Sequence, residues 1–203
     1  MINSKRAIKQ LKTIQKLLPD KNLRLAAEWD ENWKILISTI LSAQTRDTTT
    51  IEVSYKLYAK YSTPEKLGNA KLRDIEKIIR TINYCKTKAK NIKNTSKIIS
   101  KKGIPHFIEG LLELPGVGRK VANVYLVTAF NGEAIGVDTH VGRISRKLGW
   151  TKNKNPHKIE KDLEKLFPKK YWNSINWILV RFGRSFTKKQ EDEIFASIIH
   201  KIT

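Results

Sequence analysis

LPGVGRKVAN, at residues 114–123, is a proline- and glycine-rich turn that leads into an apolar segment. Gly116 and Gly118 permit positive φ and close approach to the backbone, and Pro115 fixes φ where the turn begins. The amides after the glycines then stand at the N-terminus of the next helix, where they can bind an anion such as a backbone phosphate. An ordinary helix–helix turn has the same composition, so the turn alone leaves both interpretations open.

Lys120 lies one or two residues inside the helix that follows the turn. The positive end of the helix dipole disfavours a cation there, as do neighbouring positive groups. Both conditions favour a nucleophilic amine, and phosphate binding is the other role open to this lysine. The turn is not a Walker loop, because it lacks the spacer and the Ser or Thr after the lysine. It is not a dinucleotide-binding fingerprint either, because no strand precedes it.

The chain is strongly basic: its 203 residues include 40 Lys and Arg against 19 Asp and Glu, a net charge of +21. Such a charge predicts a polyanionic partner, nucleic acid ahead of an anionic membrane, with a generic basic protein as the alternative. The sequence shows no apolar run of the roughly 20 residues that span a bilayer, and no signal peptide. We therefore expect a globular protein of the cytoplasm (nucleoid-associated) or the nucleus, away from membranes.

Cys85 is the one cysteine of the sequence. A single thiol excludes an internal disulfide framework and any site built from several thiolates, whether zinc or iron–sulfur. It also fits a reducing compartment. The sequence therefore predicts no metal and no other cofactor.

A hydrophobic period of about 3.6 residues dominates the chain, which predicts an all-α fold of ten or eleven helices. The segment NWKILISTILSAQ, residues 32–44, is apolar almost all round and predicts a helix buried in the centre of a bundle. In residues 48–61, Ile51, Tyr55 and Tyr58 share one helical face.

Four segments occur in an order that is typical of one family. LISTILSAQTRD and IRTINYCKTKAKNI precede the turn, and LLELPGVGRKVANVYLVTAF is followed by AIGVDTHVGRISRKLGW, in which Asp138 can cap the next helix. Over most of residues 33–150 they resemble the endonuclease III group of the helix-hairpin-helix DNA glycosylases. The resemblance implies a monomeric base-excision repair enzyme whose partner is damaged double-stranded DNA.

The resemblance also implies two domains with DNA in the cleft between them. A six-helix barrel domain would comprise residues 22–130 and carry the hairpin. Residues 1–21 and 131–203 would form the second helical domain. Lys120 and Asp138 would then lie on opposite walls of the cleft.

Catalysis in this family assigns roles to Lys120 and Asp138. After the damaged base is flipped out, the Lys120 amine attacks C1′, while Asp138 takes up a proton or stabilises the oxocarbenium-like charge. The resulting Schiff base makes the C2′ hydrogens acidic, and β-elimination cuts the strand 3′ to the lesion. The resemblance therefore implies a bifunctional glycosylase and AP lyase that acts on oxidised pyrimidines.

Further DNA contacts follow from the resemblance residue by residue. Gln44 is expected to fill the hole left by the flipped base, with a structural role inside a core helix as the alternative. Tyr84 is expected to be the intercalating wedge, although its neighbours Asn83 and Cys85 depart from the family pattern; a half-buried core tyrosine is the alternative. The remaining expected contacts are Leu114, Pro115, Gly116, Val117, Gly118, Arg119, Thr139 and His140.

The C-terminal end departs from the family. Most members carry a four-cysteine iron–sulfur loop after a Gly-Arg pair equivalent to Gly183 and Arg184, whereas this sequence has no cysteine there and the apolar spacing from Ile194 predicts a helix. Relatives without the cluster include glycosylases for alkylated bases. Removal of alkylated or mismatched bases is therefore one alternative function, and non-enzymatic helix-hairpin-helix DNA binding, which leaves Asp138 without a role, is another.

Overall fold

The computed structural model describes residues 2–20 and 23–201 and is all-helical in those ranges, which confirms the predicted fold class. A short 3-10 turn, Lys169–Tyr171, precedes α11. The twelve helices exceed the predicted number, because short ones such as the five-residue α7 give a weak periodic signal. They are α1 (Ser4–Lys16), α2 (Asn32–Ser42), α3 (Asp47–Lys60), α4 (Pro64–Asn69), α5 (Leu72–Ile78), α6 (Cys85–Lys102), α7 (Ile108–Leu112), α8 (Arg119–Phe130), α9 (Thr139–Lys147), α10 (Pro156–Leu166), α11 (Trp172–Ser185) and α12 (Lys188–Lys201).

The chain divides into two compact units, each with its own apolar core. Arg24–Asn131 forms one unit with α2 to α8, and Met1–Leu23 with Gly132–Thr203 forms the other with α1 and α9 to α12. The domain boundary expected at residues 21 and 22 lies outside the described residues. We call these the hairpin unit and the terminal unit.

In the hairpin unit, α2 is buried on nearly all sides from Trp33 to Leu41, as predicted. The face of α3 that carries Ile51, Tyr55 and Tyr58 is only partly buried: Tyr58 is buried, whereas the Tyr55 side chain is 54% exposed. Val53 and Leu57 are also buried. Tyr55 lies at the surface because its hydroxyl accepts a hydrogen bond from Arg24 and its ring contacts Trp29 edge-on.

In the terminal unit, α1 packs against α11 although they lie at opposite ends of the chain. The Trp150 indole N–H donates to Gln10 Oε1 at 2.6 Å, and both side chains are fully buried. Phe195 and Ile198 of α12 lie in the same core, so the predicted terminal helix is confirmed.

Candidate active site

The hairpin between α7 and α8 packs against the core of its unit and is hydrogen-bonded to α6. Leu114 and Val117 have buried side chains, so only their backbone is open to a ligand. The Val117 amide donates to the Leu114 carbonyl at 3.0 Å, and the Thr95 hydroxyl of α6 donates to the Pro115 carbonyl at 2.8 Å. Packing and hydrogen bonds therefore hold the turn before any ligand arrives.

The two glycines of the hairpin serve different purposes. Gly116 has φ of +82°, and a Cβ there would lie 2.8 Å from Asn91 Nδ2. Gly118 does not use the positive φ that glycine permits: its φ is −92°, and a Cβ there would meet nothing within 4 Å. Gly118 is the N-cap of α8 and has no side chain to cap the first-turn amides, which are left for water or an anion.

Alanine at the two glycines should separate these purposes. Gly116→Ala forces an L-residue into the left-handed region and against Asn91, so it should lower the unfolding free energy by about 1–2 kcal/mol or more. Gly118→Ala enters open space at an ordinary φ and should change it by less than about 0.5 kcal/mol. Urea denaturation of both variants measures the difference, and equal losses would contradict it.

Lys120 is the second residue of α8, and its side chain is half-buried. Its position in the first turn agrees with the sequence prediction. Its positive charge acts on a second lysine of the hairpin unit, Lys88 of α6. The structure therefore places two amines close enough to influence one another.

Lys88 is a site residue that the sequence analysis missed. Its side chain is 6% exposed, and its Nζ donates to the Leu41 carbonyl at 2.7 Å, to the Ala43 carbonyl and to the Thr45 hydroxyl at 3.1 Å. Burial lowers the pKa of Lys88 to about 8, and the charge of Lys120 acts in the same direction. The sequence carried one signal of its burial: Lys88 lies one helical turn before Ile92, so the two share a face of α6, and Ile92 is buried.

The Lys88 amine should titrate near pH 8, well below the value of about 10.4 for an ordinary lysine. It is then mainly an ammonium at pH 7 and loses its proton as the pH rises through 8. Because the Lys120 charge contributes to the shift, Lys120→Gln should move the Lys88 pKa upwards. NMR of ¹³Cε-labelled lysines, assigned with Lys88→Arg, measures both values; an unchanged Lys88 pKa in Lys120→Gln would contradict the predicted coupling.

Gln44 lies beyond the end of α2, exposed and in the left-handed region with φ of 54°. The alternative of a polar residue inside a core helix is therefore wrong. The Asn83 side chain donates to the Gln44 carbonyl. Lys88 holds the residues before and after Gln44, so the turn is fixed from two sides.

Tyr84 directly follows Asn83 and is the N-cap of α6, with φ of 58° and 67% of its side chain exposed. The alternative of a half-buried core tyrosine is wrong. Because Asn83 bonds to Gln44, the structure brings the turns of these two residues together.

Asp138 of the terminal unit is the N-cap of α9, as predicted, and its Oδ1 accepts a hydrogen bond from the Val141 amide at 2.8 Å. The cap uses one carboxylate oxygen and places the negative charge at the positive end of the helix dipole. Thr139 beside it is exposed. His140 is half-buried and packs so closely against Gly183 that a Cβ on Gly183 would lie 2.3 Å from His140 Nδ1.

Arg143 of α9 forms an internal ion pair. It makes two hydrogen bonds with the Glu191 carboxylate, one of them 2.8 Å from Nη2 to Oε1, and Glu191 is 1% exposed. This pair joins α9 to α12 in the terminal unit. Arg119 of the hairpin is half-buried and also has an interaction partner.

Within residues 2–20 and 23–201, no group of three His, Cys, Asp or Glu side chains could hold a metal ion. The segment after Gly183 and Arg184 has no thiol, and its Glu191 carboxylate is bound to Arg143, so it does not fit an iron–sulfur cluster. The free thiol of Cys85 lies at the start of α6 in the other unit. No helix in the described part is long and apolar enough to cross a membrane.

Comparisons with known proteins agree with the helical architecture and the hairpin. A family model described as HhH-GPD superfamily base excision DNA repair protein matches residues 37–169. Endonuclease III of Thermotoga maritima is 44% identical over 161 residues, which cover 78% of this chain and 76% of that protein.

Two solved structures have nearly the same fold. A non-covalent endonuclease III–DNA complex matches with a TM-score of 0.85 at 34% identity, covering 94% of this chain and 90% of that one. A trapped endonuclease III–DNA covalent intermediate matches with a TM-score of 0.83 at 34% identity, covering 91% and 87%. The chain belongs to the HhH-GPD superfamily of base-excision DNA repair proteins and, within it, to the endonuclease III group of DNA glycosylases.

Proposed function

We propose that this DNA glycosylase is also an AP lyase that acts on oxidised pyrimidines, with Lys120 as its nucleophile and Asp138 as its acid–base partner. The observation that carries the proposal is the place of Lys120, half-buried in the first turn of α8 and directly after the glycine hairpin, whose N-cap leaves the first-turn amides without a side-chain partner. The helix dipole disfavours a positive charge at this position. Such surroundings suit a lysine that attacks carbon.

The proposed reaction begins when the damaged nucleotide is flipped out of the duplex. The Lys120 nitrogen forms a bond to C1′ while the bond between C1′ and the base breaks, and the base leaves with the electron pair. Asp138 accepts a proton from the attacking amine or stabilises positive charge on the sugar. The sugar ring then opens to a Schiff base, a C2′ proton is removed, and the C3′–O bond breaks with the 3′ strand as leaving group.

A relative supports the covalent route. One solved structure, 34% identical to this chain, is a trapped endonuclease III–DNA covalent intermediate. A covalent bond between enzyme and DNA is what attack by an amine produces. The proposal for this chain is that Lys120 forms that bond.

We propose DNA-contact roles for the exposed turns of the hairpin unit. The exposure of Gln44 and Tyr84 fits a residue that fills the hole left by the flipped base and a wedge that separates base steps. The uncapped first-turn amides after Gly118 suit a backbone phosphate. The protein would bind as a monomer, in a compartment that holds DNA.

A panel of duplexes with single lesions tests the substrate class. Release of thymine glycol from DNA, faster than release of an alkylated or mismatched base, is the expected result. Preference for alkylated or mismatched bases would replace the proposed substrate and leave the enzyme class intact. DNA binding with no release of any lesion would indicate a non-enzymatic role.

The protein is proposed to work without a metal or an iron–sulfur cluster. Purified under anaerobic conditions, it should contain less than about 0.1 iron per chain, since a cluster needs about four thiolate ligands and the sequence supplies one. Dialysis against a chelator should leave lesion cleavage unchanged. Elemental analysis with an activity assay measures both, and loss of activity that added metal restores would contradict the prediction.

A further inference from the structure

Lys88 is a buried cation whose partners, within the described part of the chain, are all neutral oxygens. They are the carbonyls of Leu41 and Ala43 and the hydroxyl of Thr45. Buried cations are usually paired with a carboxylate, because removing a charge from water is costly. A lysine kept here without an acidic partner therefore points to a task that needs an ammonium group.

The three acceptors all belong to the end of α2 and the turn that follows it. The last carbonyls of a helix have no partner inside the helix, and a cation at that end is favoured by the dipole. An ammonium group has three donors, which matches the three oxygens. Lys88, on the neighbouring helix α6, thus supplies hydrogen-bond donors to the C-terminal end of α2 and to the turn that follows it.

The Ala43–Thr45 turn, to which Lys88 donates hydrogen bonds, is strained. Gln44 has φ of 54°, a conformation that costs an L-residue on the order of 1–2 kcal/mol. The surroundings must hold such a residue in place, and here Lys88 binds Ala43 and Thr45 on its two sides while Asn83 binds the Gln44 carbonyl. Without Lys88, we expect the turn to relax and Gln44 to lose its fixed direction.

We propose that Lys88 is a positioning residue, which holds the Ala43–Thr45 turn in the strained shape that presents Gln44 to the DNA. This inference rests on the proposed role of Gln44 in filling the hole left by the flipped base. Lys88 acts through Gln44 and does not itself touch the substrate. Because the pKa of Lys88 is about 8, the ammonium form with its three donors persists at neutral pH.

The test uses a duplex with a stable abasic analogue and fluorescent 2-aminopurine opposite it, so that it requires no catalysis. Insertion of Gln44 should alter the stacking and fluorescence of the opposite base when the wild-type protein saturates the DNA. Lys88→Met and Gln44→Ala should each remove most of that change. Lys88→Arg should restore at least half of it, and Lys90→Met, at an exposed lysine of the same helix, should leave it intact.

A second measurement keeps the inference testable if Lys88→Met folds poorly. Lesion release from duplex DNA should fall by about tenfold in Lys88→Gln, since hydrogen bonds to a charged group are lost. The double variant with Gln44→Ala should be no slower than the slower single variant, because both act through one turn. Borohydride trapping on single-stranded abasic DNA, which has no opposite strand, should stay within about twofold of wild type.

Additive losses in the double variant, or an equal loss on single-stranded DNA, would overturn the inference. An intact fluorescence change in Lys88→Met would do the same. No fluorescence change with the wild-type protein would overturn it together with the role of Gln44. Failure of the lyase proposal is distinct, since it appears as absent trapping by the wild-type protein.

Discussion

Lys120→Gln is expected to abolish borohydride trapping on thymine-glycol DNA, with a loss on the order of 10³-fold or more. Glutamine has no amine to attack C1′, so neither the Schiff base nor the β-elimination that depends on it can form. Denaturing electrophoresis of the reduced reaction measures the covalent complex. DNA affinity should change little, because one charge of a net +21 is removed.

Folding should not account for this loss. Removing a cation from the first turn of α8 relieves an unfavourable dipole interaction, so the variant should be as stable as wild type or up to about 1 kcal/mol more stable. Lys90→Gln, which removes the same charge at an exposed site of α6, is the matched control and should trap normally. Full trapping by Lys120→Gln would show that another amine is the nucleophile.

Asp138→Asn is expected to slow base release by about 10²- to 10⁴-fold while leaving the fold intact. Asparagine cannot accept the proton or balance positive charge on the sugar, but it caps a helix about as well as aspartate. The hydrogen bond from the Val141 amide, 2.8 Å in the parent protein, is therefore kept. Release of thymine glycol under single-turnover conditions, with enough enzyme to bind all of the DNA, measures the effect.

Asp138→Ala supplies the comparison that separates chemistry from capping. It removes the carboxylate and the cap together, so it should show the same kinetic loss and a stability loss of about 1 kcal/mol. If Asp138→Asn retained full activity while Asp138→Ala did not, the role of this residue would be structural. That result would contradict the proposed role of the Asp138 carboxylate in proton transfer or charge stabilisation.

Local chemistry explains what the sequence could predict. The all-α class, the buried α2 and the cap at Asp138 follow from periodicity and capping preferences that act over a few residues. The terminal helix α12 follows from the spacing of Phe195 and Ile198. These features needed no knowledge of the neighbouring elements.

The remaining features depend on contacts between distant segments. Lys88 reads as one more lysine of a basic helix until the fold places it beside the end of α2, more than 40 positions earlier. The two hairpin glycines look equivalent in sequence, yet glycine is required only at position 116, because φ is positive there and a side chain would collide with Asn91. Glu191 likewise becomes the partner of Arg143 only when α12 packs against α9.

Locating the covalent bond tests the central claim most directly. The wild-type protein is reduced with borohydride on lesion DNA, the DNA is digested to its linked remnant, and the modified peptide is sequenced by mass spectrometry. We predict the remnant on Lys120, with none on Lys88. Attachment to Lys88, to the N-terminal amine or to any other lysine would contradict the proposed mechanism.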